Sequence, residues 1–367
     1  MLRKNELLKL FLGSFSYLPA PVNISYLWGW GSMTGVVLIM QLVTGLFLSM
    51  HYCADASYAF NSIVHIHRDV FFGWCVRSIH MNGASFFLFC IFMHLGRGLY
   101  YKSFMNIHTW GVGVILLILS MITSFLGYVL PWGQMSFWGA TVITNFLSVI
   151  PFYGVDIVNW IWGGFSVGHP TLSRFYTFHF ILPFIIVVFS VIHLLFLHRT
   201  GSSNPIMLNS NSLKVNFWPY SGLKDLLWFL VMFTLFFLIV FFFPQVFSDP
   251  DNFIKANPMV TPVHIKPEWY FLFAYAILRC IPNKTLGVVG LVMSILMLYL
   301  LSIINVVVNN TYIKGKQMGY MIVFWIFSIN FFVLTWLGGS PVEDPYIFMA
   351  QVSSVIYFLC LLVMGIL

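Results

Sequence analysis

Eight long apolar stretches recur along the 367-residue chain, separated by shorter polar segments. Each stretch approaches the ~20 residues that a helix needs to cross a bilayer. Only helices and closed barrels satisfy backbone polar groups in lipid, and these stretches are too long and too continuous for barrel strands. The pattern therefore predicts an all-α polytopic membrane protein with eight transmembrane helices. The predicted spans lie near residues 29–50, 72–101, 110–130, 172–198, 224–244, 286–308, 318–337 and 346–366.

The composition excludes a soluble protein. Charged residues make up 7% of the chain and hydrophobic residues 60%, whereas soluble domains carry about 25% charged residues. The net charge of +7 is typical of charged loops beside membrane lipids, so we expect no nucleic-acid partner. The five cysteines form no CxxC pair and no CxxCH motif, which indicates that no haem is attached covalently.

Loop charge predicts the orientation. Ten of the seventeen Lys and Arg residues lie on one side if the N-terminus is placed inside, which predicts that both termini face inward.

The segment 1–15 is basic and mildly amphipathic, and we interpret it as a retained interfacial segment. Two long outer connections, 131–170 and 245–285, are expected to lie on the membrane surface and to close over a functional site. The inner charges are Arg3, Lys4, Lys9, Arg97, Lys102, Arg199, Lys214, Lys224, Lys314 and Lys316.

Four histidines inside the predicted spans share one spacing. His80 and His94 are 14 residues apart, as are His179 and His193, so each pair lies on one helix face about 21 Å apart along the axis. Spans two and four run in the same direction, and each depth therefore holds two opposed imidazoles. Two opposed neutral imidazoles suit the axial positions of haem iron, whereas a tetrahedral zinc site needs more ligands. The alternative for each histidine alone is a packed, hydrogen-bonded residue.

Four glycines repeat the same spacing on the two other helices. Gly31 and Gly45 on span one are 14 residues apart, as are Gly113 and Gly127 on span three. By depth, Gly31 and Gly113 match the inner histidines, and Gly45 and Gly127 match the outer ones. A flat macrocycle needs close approach where no side chain projects. We therefore expect two stacked b-type haems between the first four helices, although glycines also serve ordinary helix packing in membranes.

Two arginines flank the histidines of span two. Arg77 lies three residues before His80, and Arg97 lies three residues after His94. Each is placed toward a membrane surface, where it could pair with the propionates of a haem. The alternative is a snorkelling or positive-inside charge, which suits Arg97 better than Arg77.

These residues, with PWGQMSFWGATVITN at 131–145 and PEWY at 267–270, resemble the cytochrome b family over essentially the whole chain. The resemblance implies the haem-bearing subunit of quinol–cytochrome c reductase, the bc1 complex or complex III. It implies that His80 and His179 bind the low-potential outer haem, and that His94 and His193 bind the high-potential inner haem. We accordingly expect an N-terminal di-haem bundle at 1–200, including loop 131–170, and a C-terminal four-helix region with the PEWY loop at 201–367.

The resemblance also implies a quinol-oxidising site near the outer haem. Glu268 is the only acid between Asp251 and Glu343, and an apolar pocket would raise its pKa toward that of a useful proton acceptor. A surface carboxylate is the alternative for Glu268. The residues that match the family's site are Phe125, Tyr128, Gly139, Pro267, Glu268 and Tyr270.

The implied quinone-reducing site lies near the inner haem, where His198, Ser202, Lys224 and Asp225 match family positions. Asp225 also suits a helix N-terminus without any role in a site. Arg199 stands where many relatives carry an acid, and the stretch 203–221 matches the family weakly. The detailed shape of the inner site is therefore open.

The expected function is a Q cycle, in which quinol is oxidised outside and quinone is reduced inside, coupled to proton translocation. The resemblance implies ubiquinone as substrate, and a Rieske iron–sulfur protein, cytochrome c1 and further complex III subunits as partners in a dimeric complex. Composition favours the mitochondrial inner membrane over a bacterial plasma membrane. The alternatives are a di-haem b subunit of another quinone oxidoreductase and a transporter or proton channel with structural histidines.

Overall fold

The computed structural model describes residue 13 and residues 16–207, 210–308 and 317–367. The expected interfacial segment 1–15 lies outside the described residues except for Gly13. Lys314 and Lys316 of the inner loops also lie outside them.

Eight helices in the described part of the chain are long and apolar enough to cross a membrane, which confirms the predicted fold class. They are α1, α3, α4, α7, α8, α10, α11 and α12. Among the described residues, the α-helices are α1 Gly29–Ser49, α2 Ala59–Arg68, α3 Gly73–Tyr100, α4 Ile107–Val129, α5 Gln134–Asn145, α6 Gly154–Trp162, α7 His169–Thr200, α8 Gly222–Phe242, α9 Leu272–Cys280, α10 Lys284–Val308, α11 Gln317–Gly339 and α12 Tyr346–Ile366.

The helix ends differ from the apolar stretches by a few residues because hydropathy marks only the part that lipid surrounds. Helix α7 runs for 32 residues, about 48 Å at 1.5 Å per residue, and it extends past both ends of the predicted stretch 172–198. Helix α4 begins at Ile107, before the stretch 110–130. Pro183 lies inside α7 and does not end it.

The connections contain four short helices that the hydropathy pattern did not predict. Helix α2 lies in the first connection, α5 and α6 lie in 131–170, and α9 lies in 245–285. A small antiparallel ladder joins strands β1 (Pro19–Pro21) and β2 (Lys214–Asn216), with Ala20 opposite Val215. This ladder ties the beginning of the described chain to the connection between α7 and α8.

The first four spans pack as two close pairs. Helix α1 packs along α3, and α4 packs along α7, while the two pairs meet each other through fewer contacts. Each pair therefore combines one glycine-bearing helix with one histidine-bearing helix. Helices α9 to α12 pack around a separate apolar core that includes Ile277, Leu301 and Leu334, and this core also reaches α4.

Candidate functional site

The outer histidines face each other across the two helix pairs. The ring centroids of His80 and His179 are 6.2 Å apart, with their planes at 87°. Nδ1 of His179 lies 2.9 Å from the carbonyl oxygen of Thr123, so this nitrogen carries the proton and donates. The hydroxyl of Thr44 donates to the carbonyl of Met40 at 2.7 Å, so its oxygen accepts from Nδ1 of His80 at 2.9 Å. Both rings thus keep a free lone pair on Nε2, the tautomer that metal ligation requires.

The inner histidines have the same separation. The ring centroids of His94 and His193 are also 6.2 Å apart, with their planes at 65°. Nη2 of Arg97 lies 3.1 Å from Nδ1 of His94, and the guanidinium faces the ring of Trp28 at 5.2 Å. Nε of Arg97 is buried without a hydrogen-bond partner. This arginine therefore retains donor capacity for an anionic group beside the inner pair.

The two 6.2 Å separations fit one metal ion between each pair. A metal–imidazole bond of about 2 Å on each side, plus about 1.1 Å from each nitrogen to its ring centroid, places opposed rings about 6 Å apart. Among the described residues, no group of three or more His, Cys, Asp or Glu side chains could hold a metal ion. The remaining ligands must then come from elsewhere, and a tetrapyrrole supplies four nitrogens in one plane.

Each of the four predicted glycines lies against the Cε1 edge of one histidine. An added Cβ would intrude on that ring, so glycine allows the imidazole to lie beside the backbone of the paired helix. The expected reason for these glycines was close approach of the macrocycle, and the structure adds this nearer cause. From a Cβ built on the glycine to Cε1 of the histidine, the distances are 3.0 Å for Gly31 and His94, 3.1 Å for Gly45 and His80, 3.2 Å for Gly113 and His193, and 2.5 Å for Gly127 and His179.

One cavity of about 250 Å³ joins the outer histidine pair to Glu268. Most of its wall is apolar. The lining includes the outer histidines with one arginine and two of the predicted glycines, and it also includes acids and tyrosines. These residues are Gly45, Arg77, His80, Gly127 and His179, and Tyr128, Asp249, Glu268 and Tyr270.

Glu268 is the most favourable proton acceptor in this cavity. Burial raises the pKa of its carboxyl to about 7, and the nearby Asp249 contributes in the same direction. A hydrogen bond from the Tyr128 hydroxyl and the charge of Lys266 oppose that rise in pKa. Lys266 also pairs with Asp249 at 3.4 Å. A carboxyl with a pKa near neutrality can both accept and release a proton at physiological pH.

The other residues predicted for the outer site are placed less centrally. Tyr270 is buried and lines the cavity, but Phe125, Gly139 and Pro267 lie outside the cavity wall. Phe125 instead packs against Phe175 with ring centroids 5.9 Å apart, and a Cβ added at Gly139 would meet nothing within 4 Å.

Asp249 is a residue of this site that the sequence analysis missed. It lies in the proline-rich connection 245–285, 19 positions before Glu268, and no helical spacing links the two acids. The signal that could have found it is its proximity in sequence to the end of span five, at the same outer depth.

The residues predicted for the inner site fall into two groups. Nζ of Lys224 donates to the carbonyl of Ile24 at 2.7 Å, and Asp225 accepts from the hydroxyl of Ser32 at 2.6 Å. His198 and Ser202 lie at the far end of α7 and just beyond it. No hydrogen bond or ion pair in the described part of the chain joins the two groups. Ser32 was not predicted, and its signal is that it follows Gly31 directly.

Comparison with known proteins identifies relatives of the whole chain. The family model described as Cytochrome b/b6/petB matches residues 15–201, which is more than half of the chain. The family model described as Cytochrome b(C-terminal)/b6/petD matches residues 255–358. A solved chain described as "Hyperthermophilic respiratory Complex III" is similar with a TM-score of 0.90 at 29% sequence identity, covering 99% of this chain and 96% of that chain.

Proposed function

The chain belongs to the cytochrome b family, and on that premise we propose that it is the di-haem electron-transfer subunit of a quinol–cytochrome c oxidoreductase of the complex III type. The observation that carries the proposal is the pair of 6.2 Å histidine sites, one of which shares its cavity with Glu268. A transporter with structural histidines would not need two such matched pairs. A di-haem subunit of another oxidoreductase would not need the cavity that contains Glu268.

The proposed cofactors are two non-covalent haem b groups, which supply reversible one-electron chemistry when bound. His80 and His179 would hold the outer, low-potential group, and His94 and His193 the inner, high-potential group. The Nδ1 contacts of the outer rings would fix their orientation. Arg77 and Arg97 would each receive a carboxylate, and the buried unpaired Nε of Arg97 supports this assignment on the inner side.

The proposed outer reaction is oxidation of ubiquinol with release of protons to the outside. Glu268 would accept a proton from a quinol hydroxyl, since its pKa of about 7 suits the transfer. Tyr128 would hold the carboxylate by its hydroxyl, and Tyr270 would close the pocket against water. Phe125, Gly139 and Pro267 would shape the surroundings without lining the cavity itself.

The proposed inner reaction is reduction of quinone with uptake of protons from the inside. Asp225 would supply the proton, oriented by the hydroxyl of Ser32 at 2.6 Å. His198 would donate a proton to the reduced quinone, Ser202 would contact the quinone, and Lys224 would hold the carboxylate of Asp225 by its charge. The two reactions together form a Q cycle.

The subunit would work with a Rieske iron–sulfur protein, cytochrome c1 and further complex III subunits in a dimeric complex. The chain itself carries no motif for covalent haem attachment, so the covalently bound haem of cytochrome c1 would belong to a separate protein. We place it in the mitochondrial inner membrane with both termini on the matrix side, and a bacterial plasma membrane is the alternative. The proposed division is 1–200 for the di-haem bundle and 201–367 for the C-terminal region.

Optical spectroscopy of the purified complex tests the proposal. A reduced-minus-oxidised spectrum should show b-type bands with two components, and quinol should reduce added cytochrome c. His179→Ala should remove the outer component and spare the inner one, while His264→Ala, at an exposed histidine outside the spans, should change neither. Absence of b-type bands would overturn the haem assignment. Bands without quinol-dependent reduction of cytochrome c would instead favour another di-haem oxidoreductase.

A further inference from the structure

Helix α2 covers the outer end of the cavity that contains His80 and His179. Ile63 and Ile66 of this helix line that cavity, and Ile66 is only 1% exposed. Its carbonyl oxygen lies directly against Gly73, where α3 begins. The next residue, His67, is therefore held at the junction between α2 and the outer end of α3.

The imidazole of His67 has an unused polar atom at this junction. Its Nδ1 is buried and has no hydrogen-bond partner. A buried donor or acceptor without a partner costs free energy, so the position suits a polar group of a ligand. The neighbouring His65 differs, because its Nδ1 pairs with Asp69 at 3.0 Å on the exposed side of the helix.

Two positive side chains act on His67, and its neighbour Asp69 pairs instead with His65. Burial lowers the pKa of His67, and Arg77 and then Arg68 contribute to the same shift. Helix α3, which carries Arg77, is the helix packed against α2. Among the residues that the structure describes, neither Arg77 nor Arg68 forms an ion pair with an acid. An anion at this junction would satisfy the ring nitrogen and offset the repulsion at once.

We propose that His67, together with Arg77, binds a carboxylate of the tetrapyrrole held by the outer histidine pair, and that its protonation raises the midpoint potential of that group. The inference rests on the proposed function. Arg77 and Ile66 line the same cavity as His80, and His67 follows Ile66, so a carboxylate extending from the outer group toward the membrane surface would reach Arg77 and the junction that holds His67. His67 is thus a positioning residue that acts through the carboxylate.

The sign of the effect follows from charge. Reduction adds one negative charge to the outer group, and a protonated His67 places one positive charge beside its carboxylate. Protonation therefore favours reduction, and the bound carboxylate in turn favours protonation of His67. The outer midpoint potential should fall as the pH rises through the pKa of His67 and become flat beyond it.

Redox titration of the outer b-type component in the purified complex, at a series of pH values, tests this inference. Two variants are informative: His67→Phe keeps a flat ring without a donor, and His67→Asn keeps a donor near the position of Nδ1 without a titrating group. His65→Asn, two residues away on the same helix and paired with Asp69, is the matched control.

Wild type and His65→Asn should show the same pH-dependent potential. Both His67 variants should lose the slope, and His67→Phe should lower the potential at acidic pH by about 59 mV, a tenfold change for a one-electron couple. A wild-type slope in His67→Asn would overturn the proposal. A wild type without any b-type component would instead overturn the proposed function, so the two failures are distinguishable. His67→Asn also keeps the test decisive if His67→Phe does not fold.

Discussion

At the scale of single residues, the 14-residue register of histidines and glycines carries the most information. Both histidine pairs were predicted from spacing alone, because a helix returns nearly to the same face after 14 residues. The partners of the ring nitrogens were not predictable. Thr44 and the carbonyl of Thr123 contact Nδ1 of the outer histidines through packing between helices, which no local pattern encodes.

Replacing Gly127 by Ala should selectively weaken the outer cofactor site. The new methyl group would lie 2.5 Å from Cε1 of His179, and the ring would have to move at a cost of about 1–3 kcal/mol. Gly35→Ala on span one is the control, because nothing lies within 4 Å of its built Cβ. The ratio of outer to inner b-type absorbance should fall in Gly127→Ala and stay unchanged in Gly35→Ala. An equal loss of both components would contradict the assignment of Gly127 to the outer pair.

Quinol oxidation should depend on ionisation of Glu268. The carboxyl has a pKa of about 7, so the proton-accepting form predominates above that pH and the rate should rise as the pH increases through 7. Glu268→Gln should slow the reaction by about 100-fold, near the lower end for a lost general base, and should abolish this rise. The measurement is steady-state cytochrome c reduction between pH 5.5 and 9. A mutant that keeps the wild-type profile would remove Glu268 from the proton path.

Two neighbours of Glu268 should move its pH profile in opposite directions. Asp249→Asn removes a negative charge that raises the pKa of Glu268, so the rise in rate should shift to lower pH. Tyr128→Phe removes a hydrogen bond that lowers this pKa, so the rise should shift to higher pH. The same steady-state assay reports both, and shifts of the same sign would contradict at least one of these two assignments.

At the scale of secondary-structure elements, the eight spans were predictable and the short helices were not. A span is recognised by about 20 apolar residues, a signal that does not depend on partners. Helices α2 and α9, with 10 and 9 residues, are too short for that signal and are stabilised by packing on the bundle. The β1–β2 ladder joins segments almost 200 residues apart, so no local pattern could have indicated it.

The packing of α9 against α11 should depend on Gly338. A Cβ at this position would collide with the backbone carbonyl of Leu272, which cannot move as a side chain can, so Gly338→Ala should destabilise the C-terminal region by about 1–3 kcal/mol. Gly319→Ala on the same helix has nothing within 4 Å and should be neutral. The measurement is the temperature at which Cys280, 2% exposed, becomes reactive to a thiol fluorophore. Equal midpoints for the two variants would contradict this packing.

At the scale of the whole molecule, sidedness can be tested with thiol chemistry. Cys53 is exposed and follows the first span, whereas the exposed Ser212 follows the fourth. One span precedes Cys53 and four spans precede Ser212, so the two positions lie on opposite sides of the membrane. A membrane-impermeant maleimide should label Cys53 from outside and Ser212→Cys only from inside, with Cys53→Ser as the control for the outer label. Labelling of both from one side would contradict the eight-span topology.

The proposed inner site could be predicted only in part from the sequence. Lys224 and Asp225 are adjacent in sequence, and the structure holds both against the segment Ile24–Ser32. Asp225 contacts Ser32 of α1, whereas His198 belongs to α7 in the second helix pair. The distance between Asp225 and His198 therefore depends on how the two helix pairs are assembled. The outer cavity was easier to predict, because Glu268 lies in the PEWY stretch and is the only acid between Asp251 and Glu343.

The arrangement of the first four spans as two close pairs has a consequence for biogenesis. Each pair consists of consecutive spans, and each contributes one histidine and one glycine at both depths. The two pairs are helical hairpins, and each can therefore insert into the bilayer separately before any cofactor binds. On the proposed function, each haem is then ligated by one histidine from each hairpin and holds the two hairpins together. We expect loading of one haem to align the hairpins for the second, so that apo-protein accumulates as an open, protease-sensitive precursor.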